Sequence, residues 1–491
     1  MSLLSLFSSR FSLRQPQRLA ALTVLRAMSS NSKLDFSTPI HRITPGALVD
    51  KDAYKKTVPI LALKVEPSQT GYFLKNEAMR GAILDVPRYK SVVHSPDGRR
   101  LVLTRFDDKN DFPPPTQQFL EKEKAEIVNY NIELDYDYWT AEAILHASLP
   151  EELVDGAPVG FAKVGHIAHL NLNDEYLPYK HFIGQVILDK NSSGQEGLHT
   201  GIETVVNKLD SIDNQFRVFK MEVLAGPPNF AVMHRESNCS FFFDFSKVYW
   251  NSRLHHEHER LVETFKPEDV IADVFAGVGP FALPAARKKC GIFANDLNPI
   301  SFNCLNLNAR LNNVTQLVRA SCLDGKEFIR TVILKALQDP LPPAQAVKFN
   351  KDLRRESKQR KQAQKKNVEG SQSEQGSPSG RNRITHFVMN LPASAVEFLD
   401  AFRGILSPDN VGGRDLSGIY DKANMPMIHC YTFTRELETE KAEVDIRQRV
   451  EEQLGAPIEE DISFHLVRSV APNKEMYCIS FRLPYGLAYG A

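Results

Sequence analysis

The residues best placed to do chemistry are two acids and two glycines in the stretch VIADVFAGVGPFALPAARKKCGIFANDLNP, residues 270–299. Asp273 stands late in an apolar run, Val270 to Phe275, which ends in the turn Gly277-Val278-Gly279. Asp296 follows a second apolar run, Gly291 to Ala294. Glycines let a backbone approach a ligand closely, and an acid after the second strand of such a unit accepts ribose hydroxyls. A carboxylate at Asp273 would repel a pyrophosphate, but it suits a ligand carrying ammonium and sulfonium charges. Two more polar residues, Asp324 and Asn390, follow the apolar runs Leu317–Ala320 and Ile384–Met389. Carboxyl ends of strands are where α/β enzymes place ligands and chemistry. Asp324 would there meet an adenine amino group.

These positions demand a particular scaffold. Strand, glycine turn, helix, strand and acid make half of a doubly wound nucleotide site. Pro280 suits the first turn of the helix, where its missing N–H is not needed. Two ligand classes fit. Gly277, Gly279 and Ala282 satisfy the dinucleotide pattern G-x-G-x-x-G/A, with Asp296 at the ribose spacing, which reads as an NAD-dependent oxidoreductase. Asp273 reads instead as S-adenosylmethionine. The pattern predicts further helices over 301–312, 394–406 and 436–454. A fifth strand is expected over 427–432, and an antiparallel pair over 464–470 and 476–483. The fold class is therefore α/β, with a Rossmann-like domain over 246–491. Two smaller α+β domains precede it. The first spans 36–115 and ends at the boundary signal Pro113-Pro114-Pro115. The second spans 116–245, helical in pattern to 150 and rich in strand-like runs after 158.

The chain has 491 residues, with 60 Lys+Arg against 60 Asp+Glu. That length suits two to four domains, and net neutrality leaves room for local basic patches that attract RNA. The six cysteines include no CxxC pair, so neither a zinc site nor a disulfide framework is indicated. They read as reduced thiols of an intracellular protein. No apolar run spans a bilayer, so no membrane partner is expected. Arg10, Arg14, Arg18, Arg26 and Lys33, many serines, and no acid before Asp35 give residues 1–34 the composition of a mitochondrial presequence. Met28 offers a second start without it. Residues 338–383 are basic, then rich in Ser, Gly and Gln, and read as a disordered insertion. Its Lys/Arg run fits a nuclear address, an RNA tether or a solvated loop.

Two histidine groups invite a metal reading and fail it. His166 and His169, in VGHIAHLNL, are followed by no third ligand. In the segment from Tyr249 to Arg260, Glu257 is flanked directly by His256 and His258, so the H-E-x-x-H spacing is absent. Neighbours on a helix diverge by about 100° and cannot share one metal face. A polar helix entering the catalytic domain is the better reading, and no metal is expected.

Taken together, VGHIAHLNL (164–172), His234-Arg235-Glu236, NSRLHHEHER (251–260), DVFAGVGPF (273–281), NDLNP (295–299) and NLP (390–392) resemble the tRNA (guanine-37-N1)-methyltransferases of archaea and eukaryotes. The resemblance runs over most of the chain from about residue 40. It implies a small N-terminal domain that checks the tRNA elbow, a middle domain, and a class I methyltransferase domain that uses S-adenosylmethionine. Tested residue by residue, it implies Glu257 as general base and His258 as a cofactor contact. It implies Arg235 as stabiliser of the target base and Asn390 as the active-site asparagine. Asp296-Leu297 and Asp324-Gly325 match ribose and adenine contacts. Ser252 stands where proline is common, and 338–383 lengthens a loop.

The implied reaction is methyl transfer to N1 of guanosine 37, on the 3′ side of the anticodon, in support of the reading frame. Guanine N1 must lose a proton first, and a positioned base contributes roughly 10²–10⁴-fold. Glu257 has that role and Glu259 is its local rival. Arg235 would stabilise charge growing on O6, and Asn390 would hold the base edge. The expected partner is tRNA, the oligomeric state monomeric, and the locations mitochondrial matrix, nucleus and cytoplasm. Other readings are a methyltransferase of another RNA or a protein, the oxidoreductase above, and an RNA-binding protein with a relict fold. Asn-Leu-Pro in place of N-P-P-[FY] argues against methylation of an exocyclic amine.

Overall fold

The computed structural model describes residues 34–192, 201–209, 216–349 and 380–490. The expected presequence (save its last residue, Leu34), the second start at Met28 and the centre of the basic insertion, 350–379, lie outside the described residues. The chain divides into two units.

The first unit takes the described residues up to Val159 together with Asn173–Lys190. Its sheet has the order β2-β3-β1-β4. Here β1 is Lys56–Val65, β2 is Val92–His94, β3 is Arg100–Leu103 and β4 is Glu126–Leu134. β4 pairs antiparallel with β1 from Lys56–Leu134 to Lys64–Glu126. The sheet therefore crosses the expected 115/116 boundary. The stretch expected to be helical is helix, strand, helix: α1 (Pro114–Lys122), β4, and α2 (Ala141–Ser148). In EIVNYNIEL the β-branched and aromatic residues favour a strand, and burial alternates at its end, with Ile132 and Leu134 inside. The proline run is no linker either. Pro114 opens α1, and Phe112 is buried in the same core as Phe119.

The second unit takes Gly160–Leu172 and the chain from Asn191. It contains a small sheet, β5-β6-β7-β8, built from Ala162–Val164, Ile167–Leu170, Thr204–Lys208 and Met221–Ala225. A hairpin follows, β9 (Ala231–Glu236) with β10 (Cys239–Asp244). Then come helix α3 (His255–Thr264), β11 (Val270–Asp273), α4 (Ala282–Arg287), β12 (Gly291–Asn295), α5 (Pro299–Leu311), β13 (Val318–Ser321) and α6 (Gly325–Gln338). β14 (His386–Met389), β15 (Met427–Thr434), α7 (Thr439–Leu454), β16 (Ser463–Ala471) and β17 (Lys474–Arg482) complete it. The hairpin was expected in the middle domain, but it is fixed to α5. Asn308 accepts the Phe242 N–H at 2.7 Å, and the Asn312 amide takes both the N–H and the C=O of Ser240.

The large sheet runs β13-β12-β11-β14-β15-β17-β16. The first five strands are parallel, and β17 is antiparallel to both neighbours. The expected doubly wound domain is thus present, closed by the expected antiparallel pair. The order reverses between β11 and β14, which is where such sheets bind ligands. β11 and β12 are buried at every residue, because helices cover both faces and an unbroken apolar run is what such strands need. α3, α4 and α5 pack on one face through Leu261, Leu283 and Leu305. α6, α7 and the segment Ala395–Phe402 pack on the other.

Three local expectations change. The helix after the glycine turn starts at Ala282, leaving Pro280 in the turn. The helix expected over 394–406 is a 3₁₀ helix, Ala395–Phe402, soon followed by Gly404 at φ +67°. The insertion expected over 338–383 is packed at both ends. Leu341 and Arg381 exchange backbone hydrogen bonds at 2.9 and 2.7 Å. Leu341 and Val347 are buried. The Arg381 guanidinium donates to the carbonyls of Pro267, Lys289 and Pro342 at 2.5, 2.8 and 2.8 Å.

Candidate active site

The glycine turn is held by Asp296. One carboxylate oxygen accepts the Gly277 N–H at 2.8 Å and the other the Asn298 N–H at 3.0 Å. Burial pushes its carboxyl above the usual range, against those two bonds and one from Ser301. Both glycines have positive φ, +54° at Gly277 and +101° at Gly279. A Cβ on Gly279 would come within 2.8 Å of Leu283 and 2.9 Å of Leu305, whereas one on Gly277 would meet open space. Packing demands Gly279, while Gly277 leaves a bare backbone face toward a ligand.

Across the switch point lie two orphans. Asp273 is fully buried, and neither carboxylate oxygen has a hydrogen-bond partner of good geometry. Burial, with the neighbouring Asp296, pushes its carboxyl up to about 8, and the Phe275 N–H only partly offsets this. Asn390 Oδ1 is also buried without a partner. Asp273 pairs with Val388 across β11 and β14, and alternation puts Asn390, two residues on, on the same face. A buried polar group with no partner is costly. A cationic ligand with donors of its own, lying over Gly277, would remove that cost. The residues thus fit the ammonium and sulfonium of S-adenosylmethionine.

The remaining expected cofactor contacts are less committed. Asp324 is exposed and caps α6, its Oδ1 accepting the Lys326 N–H at 2.8 Å. Oδ2 stays outside the cap. Leu297 is 38% exposed. Gly325 lies under aromatic rings, where a Cβ would sit 2.9 Å from both Phe275 and Phe398.

A second group gathers on α3. Glu257 is 5% exposed. Arg260 grips it with Nε and Nη2, both at 2.6 Å, and the Tyr431 hydroxyl donates to it at 2.7 Å. His465 Nε2 lies 3.3 Å from its Oε2. Burial, helped by the adjacent Glu257, drives the Tyr431 hydroxyl well above its ordinary range. The next residue, His258, is buried, its Nδ1 2.6 Å from Glu236 and its ring edge-on to Phe281 at 4.7 Å. Burial would raise Glu236, but hydrogen bonds from His234 and His258 hold it down at about 2. Glu236 points inward with His234. Arg235, between them on β9, is exposed on the outer face of the hairpin. No ion pair or hydrogen bond among the described residues joins Arg235 to Glu257 or Asn390. Glu259 points away and meets Ser237.

Four of these residues escape sequence reasoning. Arg260 sits three residues after Glu257, a helical neighbour whose pairing is readable from spacing. Glu236 lies inside a recognised motif without a role of its own. Tyr431 and His465 come from distant strands, and no local signal marks them. The histidines set aside as metal ligands lie apart: His166 bonds the Asn229 carbonyl, while His169 packs on Phe245. Burial, with Lys208 and Arg253 nearby, lowers His169 to about 3.

Residues 232–360 match the TRM5/TYW2 methyltransferase domain, and residues 141–229 match the TYW2 N-terminal domain. A tRNA (guanine(37)-N(1))-methyltransferase of Coprinopsis cinerea is 52% identical over 464 residues, 93% of this chain and 98% of the relative. The Homo sapiens protein of that name is 39% identical over 448 residues, 90% of this chain and 77% of the relative. Among solved structures, wild-type Trm5b from Pyrococcus abyssi superposes with a TM-score of 0.52 at 21% identity, covering 87% of this chain and 100% of its own. The aTrm5 of a complex with tRNALeu gives 0.54 at 18% identity, with 86% and 100% covered. These two show a shared fold.

Proposed function

The chain belongs to the tRNA (guanine(37)-N(1))-methyltransferase family, and we propose on that premise that it methylates N1 of guanosine 37 in tRNA. S-adenosylmethionine supplies an electrophilic methyl group on a sulfonium when bound. The observation that carries the reading is the pair of unpartnered polar groups, Asp273 and Asn390, on one face of the switch point.

The residues divide the work. Asp273 compensates the positive charge of the donor. Asp296 shapes the turn around Gly277, and its oxygens border the ribose position. Leu297, Asp324 and Gly325 border the adenine, and His258, held by Glu236, lines the same site. Asn390 holds the edge of the guanine. The target base leaves the anticodon-loop stack to reach them, at a cost of a few kcal/mol. Its N1 proton leaves through the centre built on Glu257. Arg235 stabilises the charge that grows on O6 as N1 is deprotonated. Removing the proton creates the lone pair that attacks the methyl carbon.

Tritiated methyl transfer to tRNA transcripts tests this reading. Transcripts with guanine after the anticodon should be labelled and those with adenine should not. Glu257→Gln should slow single turnover by roughly 10²-fold or more while cofactor and tRNA affinities barely change. A wild-type rate in that variant sinks the proton assignment. We also propose that the enzyme works as a monomer on tRNA, that its N-terminal unit reads the tRNA elbow, and that it serves the mitochondrial matrix, nucleus and cytoplasm. A reporter fused to residues 1–34 that stays wholly cytosolic would remove the mitochondrial part. Light scattering that gives a dimer mass would remove the monomer.

A further inference from the structure

Four cations gather around Tyr249 with no acid among them. Lys208 ends β7, and its Nζ stands over the rings of Phe219 and Phe245, 4.2 and 5.3 Å from their centroids. Arg253 lies in the single 3₁₀ turn Ser252–Leu254 that leads into α3. Arg468 comes from β16, and Arg217 from the segment before β8. Burial and Arg253 lower the Lys208 ammonium to about 8. Burial and Arg253 likewise lower Arg468. Arg217 and Arg468 both lie near enough to Tyr249 to act on its hydroxyl. Among the described residues, none of the four cations forms an ion pair, and no carboxylate offsets the charge at Lys208, Arg468 or the neighbouring His169. Like charges held together and partly out of water, with no anion between them, cost free energy.

The cluster borders the proposed base site. Arg217 Nη2 donates to Ser394 Oγ at 2.8 Å, in the loop that starts at Asn390. Arg253 stands one helical turn before Glu257. Met389 pairs with Cys430, so Asn390 is level with Tyr431. Phe433, two residues further along β15, pairs with Met476, and Met476 pairs with Arg468. Arg468 therefore stands about 7 Å beyond the level of Asn390, at the carboxyl end of the parallel strands. Aromatic rings lie between the cations: Phe219 stacks on Tyr249 at 6.2 Å, and Tyr249 is 40% exposed. Cations that follow a backbone, with aromatic rings between them, suit a single strand of nucleic acid.

We propose that Lys208, Arg253 and Arg468, with Arg217 beside them, hold one phosphodiester of the RNA strand next to the target guanosine. The inference rests on the reading that the chain methylates guanosine 37 in tRNA, and it names where the backbone beside that nucleotide is gripped. A flipped base turns about its own backbone. Phosphate contacts set register and orientation without reading sequence. A phosphate fixed here lets the sugar and base swing towards Asn390 while the flanking backbone stays in place. It also brings the negative charge that the cluster lacks. Lys208 meets it as a point charge from its aromatic seat, and the arginines meet it as planar forks. No bond is made or broken at this site.

The test uses the full chain with Lys208→Met, Arg468→Gln and the two combined, and measures transcript binding from low to high salt. A second set of transcripts carries a neutral methylphosphonate in place of the phosphodiester on one side or the other of guanosine 37. The double variant should bind the ordinary transcript roughly 10–100-fold more weakly. Its slope of log affinity against log salt should flatten by roughly 0.7–0.9, the share of one phosphate. S-adenosylmethionine affinity should not change, and Lys208→Arg should keep the wild-type slope. One of the two methylphosphonates should weaken the wild type about as much as the double variant is weakened, and should weaken the double variant no further. That arm on the wild type needs no variant to fold. Wild-type affinity and slope in the double variant, beside normal methylation by the wild type, overturn the site and leave the methylation reading standing. Methylphosphonates that weaken wild type and double variant equally also overturn it. So do variants that lose a stabilisation by inorganic phosphate yet bind the transcript as the wild type does; the cluster would then hold a free anion. A wild type that neither binds nor methylates the transcript overturns both readings.

Discussion

Strand β11 has an aspartate at each end, and the two have opposite fates. Asp269, just before the strand, lies 3.5 Å from His386. His386 Nδ1 is 3.0 Å from His429 Nε2, and His429 Nδ1 is 2.7 Å from Ser480 Oγ. Burial would raise Asp269, but His386 and the Lys266 N–H hold its carboxyl low. Asp273, at the other end, is more deeply buried, has no hydrogen-bond partner of good geometry, and is pushed up to about 8. Residue type and strand are the same, so the difference is pairing. A buried acid with its partners in place belongs to the scaffold. One left without partners, at the strand end where the sheet changes direction, is waiting for charge from elsewhere.

The largest effect expected from breaking this contrast is at Asp273. Asp273→Asn keeps the shape and removes the charge. S-adenosylmethionine affinity should fall by about 10–100-fold, the range of a charge-assisted contact, as read by calorimetry. Wild-type affinity should increase with pH up to about 8 as the carboxyl ionises, and the variant should lack that rise. Without cofactor the sign reverses. The folded-state value lies above the unfolded one, so the folded protein holds the extra proton, and wild-type stability falls relative to the variant as pH rises from about 4 to about 8. A variant that binds cofactor as the wild type does would end the distinction between the two ends.

Arg381→Ala should cost about 2–3 kcal/mol in denaturant unfolding, because it removes charged donors from several carbonyls at the paired end of the sheet. Cofactor affinity should stay unchanged; a loss there would mean that the two ends are coupled. The smallest effect is expected from Asp269→Asn, about 1–2 kcal/mol, with methyl transfer intact. Its folded-state value is depressed, so its contribution is present above an unfolded value near 3.8 and disappears as pH falls through the folded value. Melting curves from pH 3 to 8 should show the two aspartate variants diverging from the wild type in opposite senses.

The parts of the molecule that follow from local pattern were readable in the sequence. The glycine turn, Asp273, Asp296, Asn390 and the order of strands β11 to β15 all follow from apolar runs and the residues that end them. Strand β4 was not, because its alternation is brief and a helix borders it on each side. What holds Glu257 was only partly readable. Arg260 is one helical turn away, but Tyr431 and His465 are brought by strands whose register depends on the whole sheet. Glu236 shows the same limit: its partner His258 lies 22 residues on, and only the return of the chain from the hairpin into α3 joins them.

The bridge between Leu341 and Arg381 has a consequence for the history of the chain. It brings the two ends of a long excursion together and ties them to the sheet, so the entropy of closing that loop is borne by the neck. A bridge that fixes where the chain leaves the sheet and where it returns lets the catalytic strands keep their register independently of the number of residues between the two anchors. The same neck is the place to graft a fluorescent tag or an affinity handle into the middle of the enzyme rather than at its ends.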